Sequence, residues 1–443
     1  MTLFPEVESK ASPQGLEGPP AAPRILEANR TQVFLRPTDL EGLLPADHPA
    51  RTLWTCVSRL DLTPFYAPIA AVDGAPGRPA IDPKILVTLW LYATSEGVGS
   101  AREVARLCAA HDAYRWICGG VEVSYHTLST FRVAHQAALD ALLTETLAVL
   151  LQEGLVTLSG VAQDGTRVRA SAGAASFRRE KSLRQCLAQA EAQVQRCKAE
   201  DEPAAAARSA RQAAAQARAA RERQARVEAA LAHLPAVRAA KKPAERGGAR
   251  VSTTDPDARV MKMADGGFRP AYNIQVATVP GAQVVVGVGA TNVGSDMGEA
   301  PPMVAAVQTR CGALPPAWLM DGGFAKHEAI TEIAAHGVTV YAPVAQARDG
   351  GDPHRPRAGD APAIVAWRAR MATDDAKARY KARAATAECV NALWKEHRGL
   401  QRVLVRGLPK VLTLALWMAV THNLLRWVAL AAAAGTPLTG TGA

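Results

Sequence analysis

Two aspartates and one glutamate stand where a folded chain could use them as a group. The run Leu155-Val-Thr-Leu-Ser-Gly-Val-Ala-Gln-Asp164-Gly165 is rich in apolar and β-branched residues, and is expected to form a strand ending at Asp164 and a glycine turn. A second short apolar run, Ala317-Trp-Leu-Met-Asp321-Gly-Gly-Phe324, again delivers an aspartate to the C-terminal end of a strand. Open α/β sheets bind their ligands at such ends, so these two carboxylates are candidates for one site although 157 positions separate them. A third acid is sought in residues 377–410, where nine Lys and Arg accompany only Glu388 and Glu396. At 100° per residue, Lys395 lies about 20° from Glu388 around a helix, Arg402 about 40° and Tyr380 about 80°, whereas Arg383, about 140° away, falls off that stripe. By itself such a stripe reads as a surface ion-pair array, which contributes little.

The chain that must position these groups has 443 residues, 48% of them hydrophobic and 21% charged, which supplies a large folded core and excludes disorder and collagen. Its length allows two or three domains. Seven cysteines, an odd number without C-x-x-C spacing, argue against a disulfide framework and a zinc site, and a reducing compartment is expected. Residues 1–30 carry acids, prolines and glycines rather than a basic region followed by an apolar one, so secretion is not expected. The most apolar stretch, residues 411–434, is interrupted by His422, Asn423 and Arg426. Only 11 residues separate Lys410 from His422, fewer than the roughly 18–20 of a membrane span, and the stretch reads as a buried helix. Net charge is +10, and two blocks carry the excess: residues 171–250 hold 17 Lys and Arg against 8 Asp and Glu, and residues 377–443 hold 10 against 2. Such clustering suits a polyanion such as nucleic acid, although an acidic protein or a membrane would satisfy the same electrostatics.

The coarse elements follow from caps and periodicity. Asp82-Pro83 is an N-cap with proline at the first helical position, and Ile85, Leu86, Leu89, Tyr92 and Ala93 line the face that follows. Ser100-Ala-Arg-Glu103 is a capping box. After Gly119-Gly120, Ser124 opens what is expected to be one long helix through Leu139, Leu142, Leu143, Leu147 and Leu150 to Gly154. Short helices, a tight turn and a helix starting with Ser, Thr, His and Arg resemble a helix-turn-helix reader of a DNA groove; a small helical bundle requires the same caps and turns. In residues 171–250, Leu183, Leu187, Ala190, Val194 and Cys197 step by threes and fours, as do Ala213, Ala217, Ala220, Gln224, Val227, Leu231 and Leu234 beyond Pro203. That spacing predicts an antiparallel helical hairpin, whose arginines either meet phosphates or form an ordinary solvated face. A β-hairpin is expected across Pro280-Gly281, then a helix near residues 299–311, a helix at 326–336, a strand at 338–343, a loop at 345–362 and basic helices at 374–396 and 410–434. Asp265-Gly-Gly-Phe268 repeats the tetrapeptide of Asp321 but falls where a hairpin turn belongs. His327 and His397 read as surface or positioning residues.

The ordered set Gln163-Asp-Gly-Thr-Arg-Val-Arg169, Ser252-Thr-Thr-Asp-Pro-Asp-Ala-Arg-Val-Met-Lys-Met263, Met320-Asp-Gly-Gly-Phe324 and Tyr380-x2-Arg383-x4-Glu388-x6-Lys395 resembles the DDE transposases of bacterial insertion sequences. So do Arg398-Gly-Leu-Gln-Arg-Val-Leu-Val-Arg-Gly-Leu-Pro-Lys410 and His422-Asn-Leu424. The Tyr/Arg/Glu/Lys signature marks a subgroup, and residues 78–135 are similar to that subgroup's N-terminal helical domain, so the resemblance covers about residues 31–427.

The resemblance implies an α/β protein: a ribonuclease H-like mixed-sheet catalytic core, interrupted by a helical hairpin insertion and preceded by an all-α N-terminal domain. The corresponding layout is a leader at 1–30, a helical DNA-binding domain at 31–154, a catalytic domain at 155–170 and 251–405, the basic hairpin at 171–250, a C-terminal helix at 406–434 and a tail at 435–443. Asp164 on the first strand, Asp321 on the fourth and Glu388 on a following helix are implied as catalytic and metal-binding carboxylates. Tyr380, Arg383, Lys395, Arg398 and Arg402 are implied as DNA- or phosphate-binding residues. Three carboxylates in one cleft would hold protons unless cations neutralised them. Oxygen-only donors suit two Mg²⁺ ions, with Mn²⁺ as substitute, for an in-line phosphoryl displacement that cuts and rejoins DNA. The expected function is a transposase that binds the terminal inverted repeats of its element, cleaves them and joins them to target DNA. The alternative is a catalytically inactive or repurposed DNA-binding protein derived from one. The expected partner is double-stranded DNA, with a homodimer on DNA and no membrane, in the bacterial cytoplasm and on the nucleoid when bound.

Overall fold

The computed structural model describes residues 31, 39–71, 74, 79–199, 210–347 and 350–436. Helices make up the first part: α1 Pro49–Ser58, α2 Thr63–Tyr66, α3 Pro83–Ser95, α4 Ala101–Ala110, α5 Asp112–Cys118, α6 Tyr125–Ala134 and α7 Gln136–Gln152. Asp82 accepts from the Lys84 N–H at 2.8 Å, Ser124 from Thr127 at 3.2 Å and Ser100 from Glu103 at 3.4 Å, each satisfying a backbone donor that the first turn leaves free. The box at Ser100 is only half built, because the Glu103 carboxylate turns to Arg106 instead.

The single helix expected from Ser124 to Gly154 is two helices. The break falls at His135 (φ −115°, ψ 44°), whose ring centroid lies 4.5 Å from that of Phe131 and 5.4 Å from that of Phe65. The polar residues of α6 do not all face outward, since Arg132 in its last turn is buried with its guanidinium 4.8 Å from the Trp90 ring and donates to the Gly99 carbonyl.

A six-stranded mixed sheet follows, built from β1 Val161–Arg169, β4 Arg259–Lys262, β5 Phe268–Val279, β6 Val284–Thr291, β7 Ala317–Leu319 and β8 Thr339–Tyr341. A two-stranded sheet pairs β2 Phe177–Arg178 with β3 Val251–Ser252. In the large sheet β1 lies between β5, antiparallel to it, and β7, parallel to it; β6 pairs antiparallel with the far edge of β5 and β8 parallel with β7. β4 pairs with the start of β5 through a turn in which Gly267 N–H donates to the Asp265 carboxylate at 3.0 Å, as expected for that tetrapeptide. Strand β1 does not stop at Asp164: it continues to Arg169, with Asp164 opposite Val276 and Gly165 opposite Gln275.

Helices α8 Glu180–Ala199 and α9 Ala210–Ala239 pack on each other, with Arg238 paired to Glu180 at 2.6 Å and Arg223 bonded to Gln193 at 3.1 Å, so the two run antiparallel. The turn expected at residues 200–203 lies outside the described residues. α10 Ala300–Cys311 and α11 His327–Ala335 alternate with the later strands. The stretch read as a loop ends in α12 Pro362–Ala372, and the helix expected over 374–396 is three pieces: α13 Asp374–Lys381, a π turn at Ala384–Glu388 and α14 Cys389–Glu396.

Helix α15 Leu408–Ala433 packs against α7, α3 and β6. Its N-terminus is held by acids, as the helix dipole favours: Gly407 N–H donates to Asp255 at 3.1 Å and Leu408 N–H to Asp257 at 2.8 Å. Midway, Asn423 brackets Val285 of β6, accepting from its N–H and donating to its carbonyl, both at 2.8 Å, and His422 Nε2 donates to the Gln283 carbonyl at 2.6 Å. α15 is long and apolar enough to cross a membrane by length and composition, and 67% of its most apolar window is buried inside the protein.

Burial first, then the nearby Arg398, hold the His422 imidazole down to about 3 from its ordinary 6.5. The fold therefore requires neutral His422, and its contribution is complete above pH 6.5 and lost as pH falls toward 3. The thermal midpoint of His422→Gln, which keeps an N–H for Gln283, should fall less between pH 7 and pH 4 than that of the parent; parallel curves would contradict this.

Candidate active site

Strand register brings the two aspartates level. β1 and β7 pair as Val161 with Trp318 and Ala162 with Leu319, and the same offset sets Asp164 beside Asp321. The π turn packs against β1 and β5 and adds Glu388 from the other side. At the centre stands Arg383, only 7% exposed. Its Nη2 lies 3.0 Å from Asp164 Oδ1 and 3.8 Å from Asp321 Oδ2, and its Nη1 2.6 Å from Glu388 Oε1.

Arg383 was expected off this stripe, and the reason for the correction is local. Five residues of α-helix turn about 140° out of phase, but the i→i+5 repeat of the π turn returns Arg383 and Glu388 to one side. Asn391, which sequence reasoning passed over, donates its Nδ2 to Asp164 Oδ2 at 2.9 Å. Its position three residues beyond Glu388 on a helix was the only available signal. Asp321 Oδ1 accepts from the Gly323 N–H at 2.7 Å.

The electrostatics follow from this packing. Burial raises the Asp164 carboxyl above its ordinary range, while Arg383 and Asn391 oppose that shift. Burial works against the charge of Arg383, but Asp164, Asp321 and Glu388 raise its pKa overall. Tyr380 is half-buried on α13 and pushed up by burial, with the three carboxylates adding to the shift. Lys395 on α14 is lowered by burial, an effect that Asp164 counters.

Arg398 and Arg402 are placed differently. With Lys395 they line a cavity of about 390 Å³ beside Trp90 and Trp417, where none of the three acids reaches. Arg398 is buried and lowered to about 10 by that burial. Arg402 forms an isolated bridge with Arg169 at the end of β1. His327 lies against the Trp367 ring, and His397 is exposed.

The donor chemistry around Arg383 is oxygen-only, which in kind fits a hard divalent cation. Among the described residues, no three His, Cys, Asp or Glu approach closely enough to hold an ion, because the carboxylates surround a guanidinium instead of closing on a point.

Behind Asp164 the opposite face of the sheet explains Gly165. Successive residues of a strand point to opposite faces, so Gly165 faces Asp296, which accepts from Asn273 at 2.7 Å and Gln275 at 2.8 Å and lies 3.5 Å from Arg167. A Cβ on Gly165 would stand 2.2 Å from Asp296 Oδ1 and 2.5 Å from Gln275 Nε2. The glycine serves close approach within a strand, not a turn.

Residues 38–134 match a family described as a transposase domain (DUF772), and residues 363–428 match a transposase DDE domain. The second match spans Tyr380, Arg383, Glu388, Asn391 and Lys395, while Asp164 and Asp321 lie outside both. No curated protein and no solved structure matches the chain. The two matches define the class of the protein as a transposase. The matched transposase DDE domain indicates a DDE-type transposase, an enzyme of the polynucleotidyl transferase type.

Gly165→Ala should destabilise the protein by about 1–3 kcal/mol, because the two groups it meets are tied to each other and cannot both swing away. Urea unfolding measures this; a midpoint equal to the parent's would show that the Asp296 network yields freely.

Proposed function

We propose that this transposase binds the terminal inverted repeats of its element and catalyses divalent-metal-dependent strand cleavage and strand transfer to target DNA, using Asp164, Asp321 and Glu388. The observation that carries the proposal is the convergence of these three carboxylates, remote in sequence, on the Arg383 guanidinium. The reading of the core as ribonuclease H-like is supported by the neighbour order β6, β5, β1, β7, β8, antiparallel on one side of β1 and parallel on the other.

On this reading Asp164, Asp321 and Glu388 would hold Mg²⁺, or Mn²⁺ in its place. The bound cations supply charge stabilisation at the oxygens exchanged during in-line phosphoryl displacement. Asn391 holds Asp164 in orientation through Oδ2. Lys395, half-buried beside Asp164, and Tyr380 orient the phosphate or flanking strand. Double-stranded DNA is the partner, engaged by a pair of subunits in the cytoplasm, and the basic block at 171–250 and the exposed Arg402 contribute to its electrostatic capture.

Two measurements test this. Asp164→Asn should bind terminal-repeat DNA nearly as well as the parent while losing Mg²⁺-dependent strand cleavage; equal cleavage by both would remove Asp164 from the site, and no cleavage by the parent itself would favour an inactive DNA-binding protein. Affinity for DNA should also fall steeply with salt, at a log-log slope of about −0.9 for each neutralised phosphate. A flat salt response would contradict the role of the basic segments.

A further inference from the structure

Arg383 occupies the place to which all three acids point, and it does so almost fully buried. Its Nη groups are committed to the carboxylates and its Nε has no partner, so within this arrangement it is turned inward on protein, not outward toward a phosphate. Resting on the reading that these acids hold a divalent cation, we propose that Arg383 is the resident cation of the metal-free site, and that its guanidinium and the metal exclude one another, so that metal entry requires Arg383 to leave.

The exclusion is a matter of shared space and like charge. Asp164 Oδ1 and Glu388 Oε1 already accept from Arg383 at 3.0 and 2.6 Å, whereas a magnesium ion draws its ligand oxygens to about 2.0–2.1 Å. The guanidinium stands among the acids where the ion would sit, and two positive charges cannot share that place. Without either cation, the carboxylates would repel one another in a partly buried cleft, and protonation of one would relieve it. Arg383 removes that need while the site waits.

The π turn offers a way out for the side chain. Arg383 and Glu388 share a side only while residues 384–388 keep the i→i+5 repeat; in α-helical register they stand about 140° apart. A shift of register would carry Arg383 off the carboxylates while Glu388 stays joined to α14. Asn391, on regular α14 and 6% exposed, keeps its bond to Asp164 and brings a buried Oδ1 that has no partner. Asn391 is thus the fixed positioning residue of Asp164, and Arg383 the exchangeable one.

The test is Mn²⁺ binding by the full-length protein, read from the electron paramagnetic resonance of free Mn²⁺, with the thermal midpoint in chelator as a second readout. Arg383→Gln should bind Mn²⁺ roughly tenfold or more tightly than the parent and, in chelator, melt at a lower temperature than the parent, with a larger rise when Mn²⁺ is added. Arg383→Lys, which keeps the charge but has fewer donors to match the acids, should fall between the two, and it carries the test if the Gln variant fails to fold. Equal or weaker binding by these variants, with Mn²⁺ binding still lost in Asp164→Asn, would overturn the exclusion and leave the proposed function standing. Mn²⁺ binding by Asp164→Asn equal to that of the parent would place the cation elsewhere and overturn both.

Discussion

Carboxylates that approach one another in a partly buried cleft must be neutralised or take up protons, and the arrangement around Asp164, Asp321 and Glu388 is governed by that constraint. One guanidinium meets all three, and an amide takes the remaining oxygen of the most buried of them. Burial favours the protonated form of Asp164, while Arg383 and Asn391 favour the charged one. Removing one member of such a set leaves the others uncompensated, which is why the group is best regarded as one electrostatic unit.

The scaffold keeps this unit in place from both faces of the sheet. On the side away from the acids, Asp296 is tied to Asn273, Gln275 and Arg167 directly against Gly165, so β1 is clamped one residue from Asp164. On the C-terminal side, Asp255 and Asp257 hold the start of α15, and His422 and Asn423 bond it to β6 and the turn before it. The motif around Asp255 and the His-Asn pair are therefore helix-anchoring contacts in this chain. The His-Asn pair lies within the matched transposase DDE domain and the motif around Asp255 outside both matches, and the chemistry of both in this chain is that of assembly.

The helical segment before the sheet shares one apolar core with it. Trp417 of α15 donates to the Arg132 carbonyl at 3.0 Å and Trp427 to Glu153 at 2.8 Å, so polar bonds as well as packing join α15 to the region matched by the transposase domain and to α7. Arg398 and Lys395 border the cavity at this junction, which places cationic side chains between the two matched segments without bringing Arg398 to the acids.

Much was already legible in the order of residues. The caps at Asp82, Ser100 and Ser124, the strand runs leading to Asp164 and Asp321, the hairpin across Pro280-Gly281 and the turn at Asp265 are local signals, since each depends on residues a few positions apart. The two aspartates stood out at the ends of those runs, whereas Glu388 was singled out only by the resemblance, since its cationic stripe by itself reads as a surface ion-pair array. The two aspartates met through strand register although 157 positions apart, Glu388 joined them through the π turn, and the roles of Gly165 and Asn391 came from neighbours on other elements. Arg383 was misplaced because a wheel of 100° per residue assumes an unbroken α-helix, and one π turn resets the phase; His135 divided a helix for a related reason, its ring lying among aromatics from two helices. Local order determined which residues could do chemistry, whereas the tertiary structure decided which of them touch, because contact depends on register and helical phase accumulated over the whole path.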